Sequence, residues 1–116
     1  MSDTTAASPL TLDIDRADGV AVVHCHGRLV AGMDDVLYNQ VRQLFPDNKR
    51  IVMDLTDLSH VDSMGLGALV RLYVSAGSGG CELELLNLGQ QVRQLFRTTN
   101  MMLVFTVVDE QGVKTG

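Results

Sequence analysis

The chain has little of what several large classes of protein need. It carries two cysteines, Cys25 and Cys81, in 116 residues. That is too few for a disulfide framework, and neither has a partner at metal-ligand spacing. One bridge stays open, but two structural thiols in a reducing compartment is the expectation. Basic residues are also scarce: nine Lys and Arg stand against 14 Asp and Glu, for a net charge of −5. The basic residues are scattered rather than clustered, so neither a nucleic acid backbone nor an anionic membrane surface is an expected partner. No apolar run approaches the roughly 18–20 residues that span a bilayer. Met1 to Pro9 has no basic n-region and no apolar h-region, so it does not read as a signal peptide. The expectation is a soluble cytoplasmic protein.

What is present suits one ordinary domain. Hydrophobic residues make up 46% and charged residues 20%, enough for a core without staples. Residues 1–9 read as a disordered lead, 10–108 as the folded domain, and the polar stretch from Asp109 as a loose tail. Leu10 to Asp15 alternates apolar with polar, the period of a strand. Asp18-Gly19 signals a tight turn, and Val20 to His26 is β-rich, so 10–26 is expected to be a hairpin that Gly27 ends. Arg28 to Gly32 then reads as a connection.

Met33 to Phe45 has apolar residues at 33, 37, 41, 44 and 45, one face of a helix, with Val36 beside it. Pro46 stops it. Ile51 to Leu55 is a short apolar strand, expected to be covered on both faces. A second helix is expected from Ser63 to Ala76. Its face is Leu66, Leu69, Val70, Tyr73 and Val74, and Gly77 is its left-handed cap. A strand over Cys81 to Leu88, a helix over Gln90 to Arg97 and a strand over Leu103 to Val108 complete the order β-β-α-β-α-β-α-β. Alternating strands and helices predict a mixed α/β sheet with the helices mainly on one face. The hexapeptide Gln-Val-Arg-Gln-Leu-Phe occurs at 40–45 and again at 91–96. The similarity does not extend outward, so it marks two amphipathic helices rather than a repeat array.

The stretch Leu58-Ser59-His60-Val61-Asp62-Ser63-Met64-Gly65-Leu66-Gly67 reads as a polar turn between strand and helix. Such a junction gathers unpaired N–H groups and the positive end of a helix dipole. Ser63 is expected there, exposed, with its hydroxyl able to cap the helix. A phosphate on it would add about −1.5 to −2 charges at a position that tolerates them. Gly65 and Gly67, lacking a Cβ, would let a partner backbone approach. The blander reading makes Ser63 a cap, Asp62 a turn former and the glycines steric accommodations.

The string Asp-Leu-Ser-x-Val-Asp-Ser-x-Gly-Leu-Gly between strand and helix resembles the signature of STAS domains, and in particular of bacterial anti-anti-sigma factors (anti-sigma factor antagonists). The resemblance extends over about residues 10–108. It implies a regulatory binding module without catalysis or cofactor. In that family the serine after the loop aspartate, here Ser63 after Asp62, is phosphorylated by a partner that is both anti-sigma factor and kinase, of the histidine-kinase-like ATPase type. The unphosphorylated form binds that partner and a phosphatase restores it. The resemblance also puts the turn Gly27-Arg28-Leu29-Val30 on the partner surface, where Arg28 and Val30 replace an acidic pair. Met64 replaces a small polar residue and is a candidate docking contact. The expected contact set is therefore Arg28, Val30, His60, Asp62, Met64, Gly65, Leu66 and Gly67 around Ser63. STAS domains also occur as scaffold subunits of stress-signalling complexes and as accessory subunits of lipid-transport ATPases, which leaves a module without the switch as the alternative. A small ligand-binding protein using the cleft near Ser63 is a second.

Other chemistry is weaker. His60, Asp62 and Ser63 are the residue types of a catalytic triad, but three residues in one loop cannot easily align, and Val61 occupies the first glycine position of a nucleophile elbow. His24 and His26 share one strand face with Cys25 on the other. No third metal ligand is indicated, so structural histidines are expected. Asp13 and Asp15 read as a solvated face. Gly77 to Gly80 follows a helix and lacks a lysine, so it is not a phosphate-binding loop. Arg93 and Arg97, one turn apart, read as solvent-exposed.

Overall fold

The computed structural model describes residues 9–108; residues 1–8 of the expected lead and the expected tail from Asp109 lie outside them. Strands β1 (Leu10–Ala17) and β2 (Val20–Leu29) form the hairpin. Asp18 and Gly19 at its tip both have positive φ, 54° and 78°, the turn geometry that matches strand twist. Helix α1 (Asp34–Arg42) leads through a short 3₁₀ turn, Phe45–Asp47, to β3 (Arg50–Val61). Then follow α2 (Ser63–Ser78), β4 (Glu82–Leu86), α3 (Gln90–Thr98), a 3₁₀ turn at Met101–Leu103 and β5 (Thr106–Val108).

The sheet order is β1-β2-β3-β4-β5, antiparallel at β1–β2 and parallel elsewhere. Each of the three crossovers steps one strand in the same direction. Right-handed crossovers that all step the same way put all three helices on one sheet face. Burial agrees. Ala21, Val23, Cys25, Ile51, Met53, Leu55, Leu83, Leu85 and Val107 join Leu37, Val41, Leu69, Leu72, Val92 and Phe96 in one core. The other face is largely polar, with Asp54 of β3 pointing to it opposite His24. Ile51 to Leu55 is thus covered by helices on one side rather than both.

Several boundaries differ from expectation. Gly27 does not end β2. It has φ +102°, and a Cβ there would lie 2.0 Å from the carbonyl oxygen of Pro9. It sits beside a register shift in the pairing with β3, so it bends the strand and lets it continue to Leu29. The supposed polar turn at 58–61 is the end of β3, paired with that extension through Arg28↔His60 and Leu29↔Val61. In α2 the inward face is Leu66, Ala68, Leu69, Leu72 and Ala76, and Val74 is 60% exposed. Gly77 lies within α2, and the positive φ falls on Gly80. Leu103 belongs to a 3₁₀ turn and is exposed, so β5 begins only at Thr106.

Candidate functional site

The parallel pairing of β2 and β3 ends at Leu29↔Val61. One residue later the Asp62 N–H still donates to the Leu29 carbonyl, at 3.2 Å. Asp62 is extended, with φ −97° and ψ −175°, and is the N-cap of α2. Its Oδ1 accepts the Gly65 N–H at 2.9 Å, satisfying one of the orphan donors of the first turn. Its Oδ2 accepts the Ala31 N–H, also at 2.9 Å. One carboxylate therefore joins the β2–α1 loop to the start of α2. These two backbone donors, first Gly65 and then Ala31, hold the Asp62 carboxyl below the usual aspartate range.

The capping role expected of Ser63 thus belongs to Asp62. Ser63 is the first helical residue and is exposed. Its hydroxyl is left to solvent at the positive end of the α2 dipole. Met64 beside it is 52% exposed.

Gly65 and Gly67 do different work. A Cβ on Gly65 would lie 2.2 Å from the Leu29 carbonyl oxygen and 2.7 Å from Leu29 Cγ, whereas one on Gly67 would meet nothing within 4 Å. Gly65 is buried against β2 and lets α2 seat on the sheet; it is not an opening for a partner. Gly67 is half-buried with open space in front of it. Leu66 points into the core. Of the remaining expected contacts, His60 and Arg28 are exposed and adjacent across β2–β3, and Val30 is half-buried.

Two features escaped the sequence. Ala31 and Gly32 are exposed on the loop that Asp62 holds, and Val36 of α1 is 38% exposed. The only local signal was Gly32, which has φ +96°. The contact that brings the loop to Ser63 links residues 31 positions apart, beyond the reach of any local pattern. Helices α1 and α2 are further fixed by Tyr38, whose hydroxyl lies 3.0 Å from Ser75 Oγ and whose ring lies 4.2 Å from the Arg71 guanidinium.

A family model described as the STAS domain matches residues 11–111, and the chain belongs to the STAS domain family. Among solved structures it resembles an anti-sigma factor antagonist from Mycobacterium paratuberculosis, with 22% identity, 84% of each chain covered and a TM-score of 0.75. It also resembles the anti-sigma factor antagonist SpoIIAA in its unphosphorylated form, with 16% identity, TM-score 0.73, and 87% of this chain and 90% of that one covered. Against the Bacillus cell fate determinant SpoIIAA in the phosphorylated form the values are 15%, 0.67, 87% and 94%. The murine Solute Carrier 26 family member A9 anion transporter carries a similar fold within a larger chain: 22% identity, TM-score 0.64, 72% of this chain but 14% of that one. At these identities the likeness is one of fold.

Proposed function

We propose that this chain is an anti-sigma factor antagonist, a cytoplasmic binding module without catalysis of its own, switched by phosphorylation of Ser63. The observation that carries the reading is the exposed Ser63 hydroxyl at the first position of α2, with capping delegated to Asp62. The surface around it comprises Ser63, Met64, Gly67, Arg28, Val30 and His60, together with Ala31, Gly32 and Val36. Gly65, Leu66 and Asp62 shape that surface from within. The partner is an anti-sigma factor that is also a serine kinase of the histidine-kinase-like ATPase type, and a phosphatase reverses the modification. In support, SpoIIAA has been solved in both unphosphorylated and phosphorylated forms on the same fold.

The physics of the switch is local. A phosphate on Ser63 adds about two charges next to the Asp62 carboxylate. The helix dipole offsets part of that repulsion and water screens the rest, so the fold is retained. At an interface built for a neutral serine the same charges must be desolvated. A loss of about 3 kcal/mol there is a change on the order of a hundredfold in affinity. With both Asp62 oxygens holding backbone N–H groups, that carboxylate is not placed to orient His60 toward Ser63 as in a hydrolytic triad.

The test is reconstitution with ATP and an anti-sigma factor kinase of the histidine-kinase-like ATPase type from the same cell. One phosphate is expected, on Ser63, and none on Ser63→Ala. Ser63→Glu is expected to weaken partner binding by about a hundredfold while its unfolding free energy moves by less than about 0.5 kcal/mol. Phosphate on another residue of the Ser63→Ala protein overturns the site. The transporter likeness favours a second reading, a STAS module with no switch. A neighbouring permease or ATPase gene in place of a kinase, with Ser63→Glu binding its partner unchanged, would decide for it. A ligand-binding cleft at Ser63 has less support. A groove of about 590 Å³ lies between α2, β4 and β5 and is lined by Tyr73, Val74, Cys81, Glu82 and Thr106 among others, not by Ser63.

A further inference from the structure

The sheet face away from the helices carries a polar arrangement that the docking surface does not use. His24 and His26 reach it from β2, while Val23 and Cys25 between and beside them are buried on the helical side. His24 stands between two carboxylates from different strands: Nε2 is 3.1 Å from Asp15 Oδ2 of β1, and Nδ1 is 2.9 Å from Asp54 Oδ2 of β3. His26 lies beside it with one hydrogen bond, Nε2 to Asp13 Oδ2 at 3.1 Å, while its Nδ1 is within ion-pair distance, 3.1 Å, of Asp57 Oδ2. A register shift in β3 makes this possible. His24 pairs with Asp54 but His26 pairs with Asp57, so the extra residue replaces Thr56 by an acid in that row.

Ionised carboxylates only accept hydrogen bonds. A neutral imidazole has one N–H and one lone pair, so it can donate to one of its two flanking acids and turns a lone pair to the other. An imidazolium donates to both. We propose that His24 forms a proton-operated clamp: protonated, it ties edge strand β1 through β2 to β3, and on losing its proton it loosens β1. Among the described residues, the charged groups facing the two rings are Asp13 and Asp15 from β1 and Asp54 and Asp57 from β3. The Thr56 hydroxyl bonds Asp54, and Arg50 on the same face is held by Glu84. With the His24 ring neutral, Asp15 of β1 and Asp54 of β3 face each other across β2 with no cation between them among the described residues.

The His24 ring has its pKa raised above the ordinary histidine value, chiefly by its bond to Asp54; burial opposes this and Asp15 adds to it. The sign follows. A group whose folded pKa is raised stabilises fully below its unfolded value, near 6.5, and the stabilisation fades as pH rises through the folded value. The clamp is therefore closed at mildly acidic pH and opens toward alkaline pH. The strand it acts on is one that can respond, because among the described residues β1 pairs with β2 alone.

The clamp does not depend on the reading of Ser63. Site-resolved hydrogen exchange on the full chain tests it, with rates corrected for the intrinsic dependence of exchange on pH. Between pH 6 and pH 8.5 the opening constant of β1–β2 amides is expected to rise roughly fivefold, the upper end of what one partly exposed ion pair contributes. Amides of the β3–β4 ladder should not change. The His24→Gln variant should be flat across the same range. Should that variant not fold, Asp15→Asn is the second arm. That carboxylate is 79% exposed, and its loss should remove most of the pH dependence. Ring-nitrogen NMR of His24 at pH 6 should show both nitrogens protonated. A neutral tautomer there, the same fivefold rise in the His24→Gln variant, or an equal rise at β3–β4 overturns the proposal.

Discussion

Replacing Gly65 by alanine is expected to lower stability, although alanine is the better helix former. In an open helix the change would gain about 1 kcal/mol. Here the new methyl would stand 2.2 Å from the Leu29 carbonyl oxygen and 3.0 Å from its carbonyl carbon. Those are backbone atoms of β2, which cannot turn aside as a side chain can, so the first turn of α2 must move outward. Overpacking of this kind costs about 1–3 kcal/mol. The movement also stretches the Asp62 N–H bond to Leu29 and the Ala31 N–H bond to Asp62, worth about 1 kcal/mol each. Net of the helix gain, the loss is about 2–4 kcal/mol. At roughly 4 °C per kcal/mol for a domain of this size, that lowers Tm by about 8–16 °C. The control is Gly67→Ala, two residues along the same helix, where the methyl meets open space. It should be neutral or stabilising by up to about 1 kcal/mol. Urea unfolding of the three proteins side by side is the assay. A Gly65→Ala protein as stable as wild type, or a Gly67→Ala protein equally damaged, would refute the account of how α2 is seated.

Asp62→Ala removes the cap and the link to the loop at once, and is expected to cost about 1–2 kcal/mol in urea unfolding. Because the folded pKa of Asp62 is depressed, its stabilisation is present above the usual aspartate pKa and is lost as pH falls through the folded value. Asp62→Asn should therefore shallow the acid limb of the stability curve, read by thermal melts from pH 6 to pH 2.5, and an unchanged limb would count against it. Phe96→Ala should cost about 3–5 kcal/mol, because Phe96 is fully buried and its ring sits 5.3 Å from that of Phe105, which in turn meets Tyr73 edge-on. A loss below 1 kcal/mol would mean that α3 contributes little to the core.

Much of the fold was legible because its signals are short-range. The Asp18-Gly19 turn, the alternation of Leu10 to Asp15 and the apolar spacing of Leu37 and Val41 each act over a few residues. The errors cluster where a distant segment decides. The two Gln-Val-Arg-Gln-Leu-Phe copies show this well. The second lies wholly within α3, with Phe96 buried, whereas the first leaves the helix after Arg42 and puts Phe45 in a 3₁₀ turn. Pro46 follows the first copy and cannot supply the N–H that would continue the helix. Asp13 and Asp15, read as a solvated face, are exposed yet each meets a histidine. Their partners became visible only once β1 and β2 were in register.

By itself the sequence determined the element order, the mixed sheet, the helical cover and the serine at a strand–helix junction. Periodicity, turn chemistry and the Asp62 to Gly67 string are local, and local rules suffice for them. The tertiary structure alone decided that β2 and β3 run on to Leu29 and Val61, because each extension exists only by pairing with the other. It decided that the Asp62 carboxylate, which caps α2 locally through Gly65, also holds the β2–α1 loop, because the Ala31 N–H it accepts arrives from 31 residues away. It also separated Gly65 from Gly67, two like residues in one motif. A carbonyl of β2 stands in front of the first and solvent in front of the second.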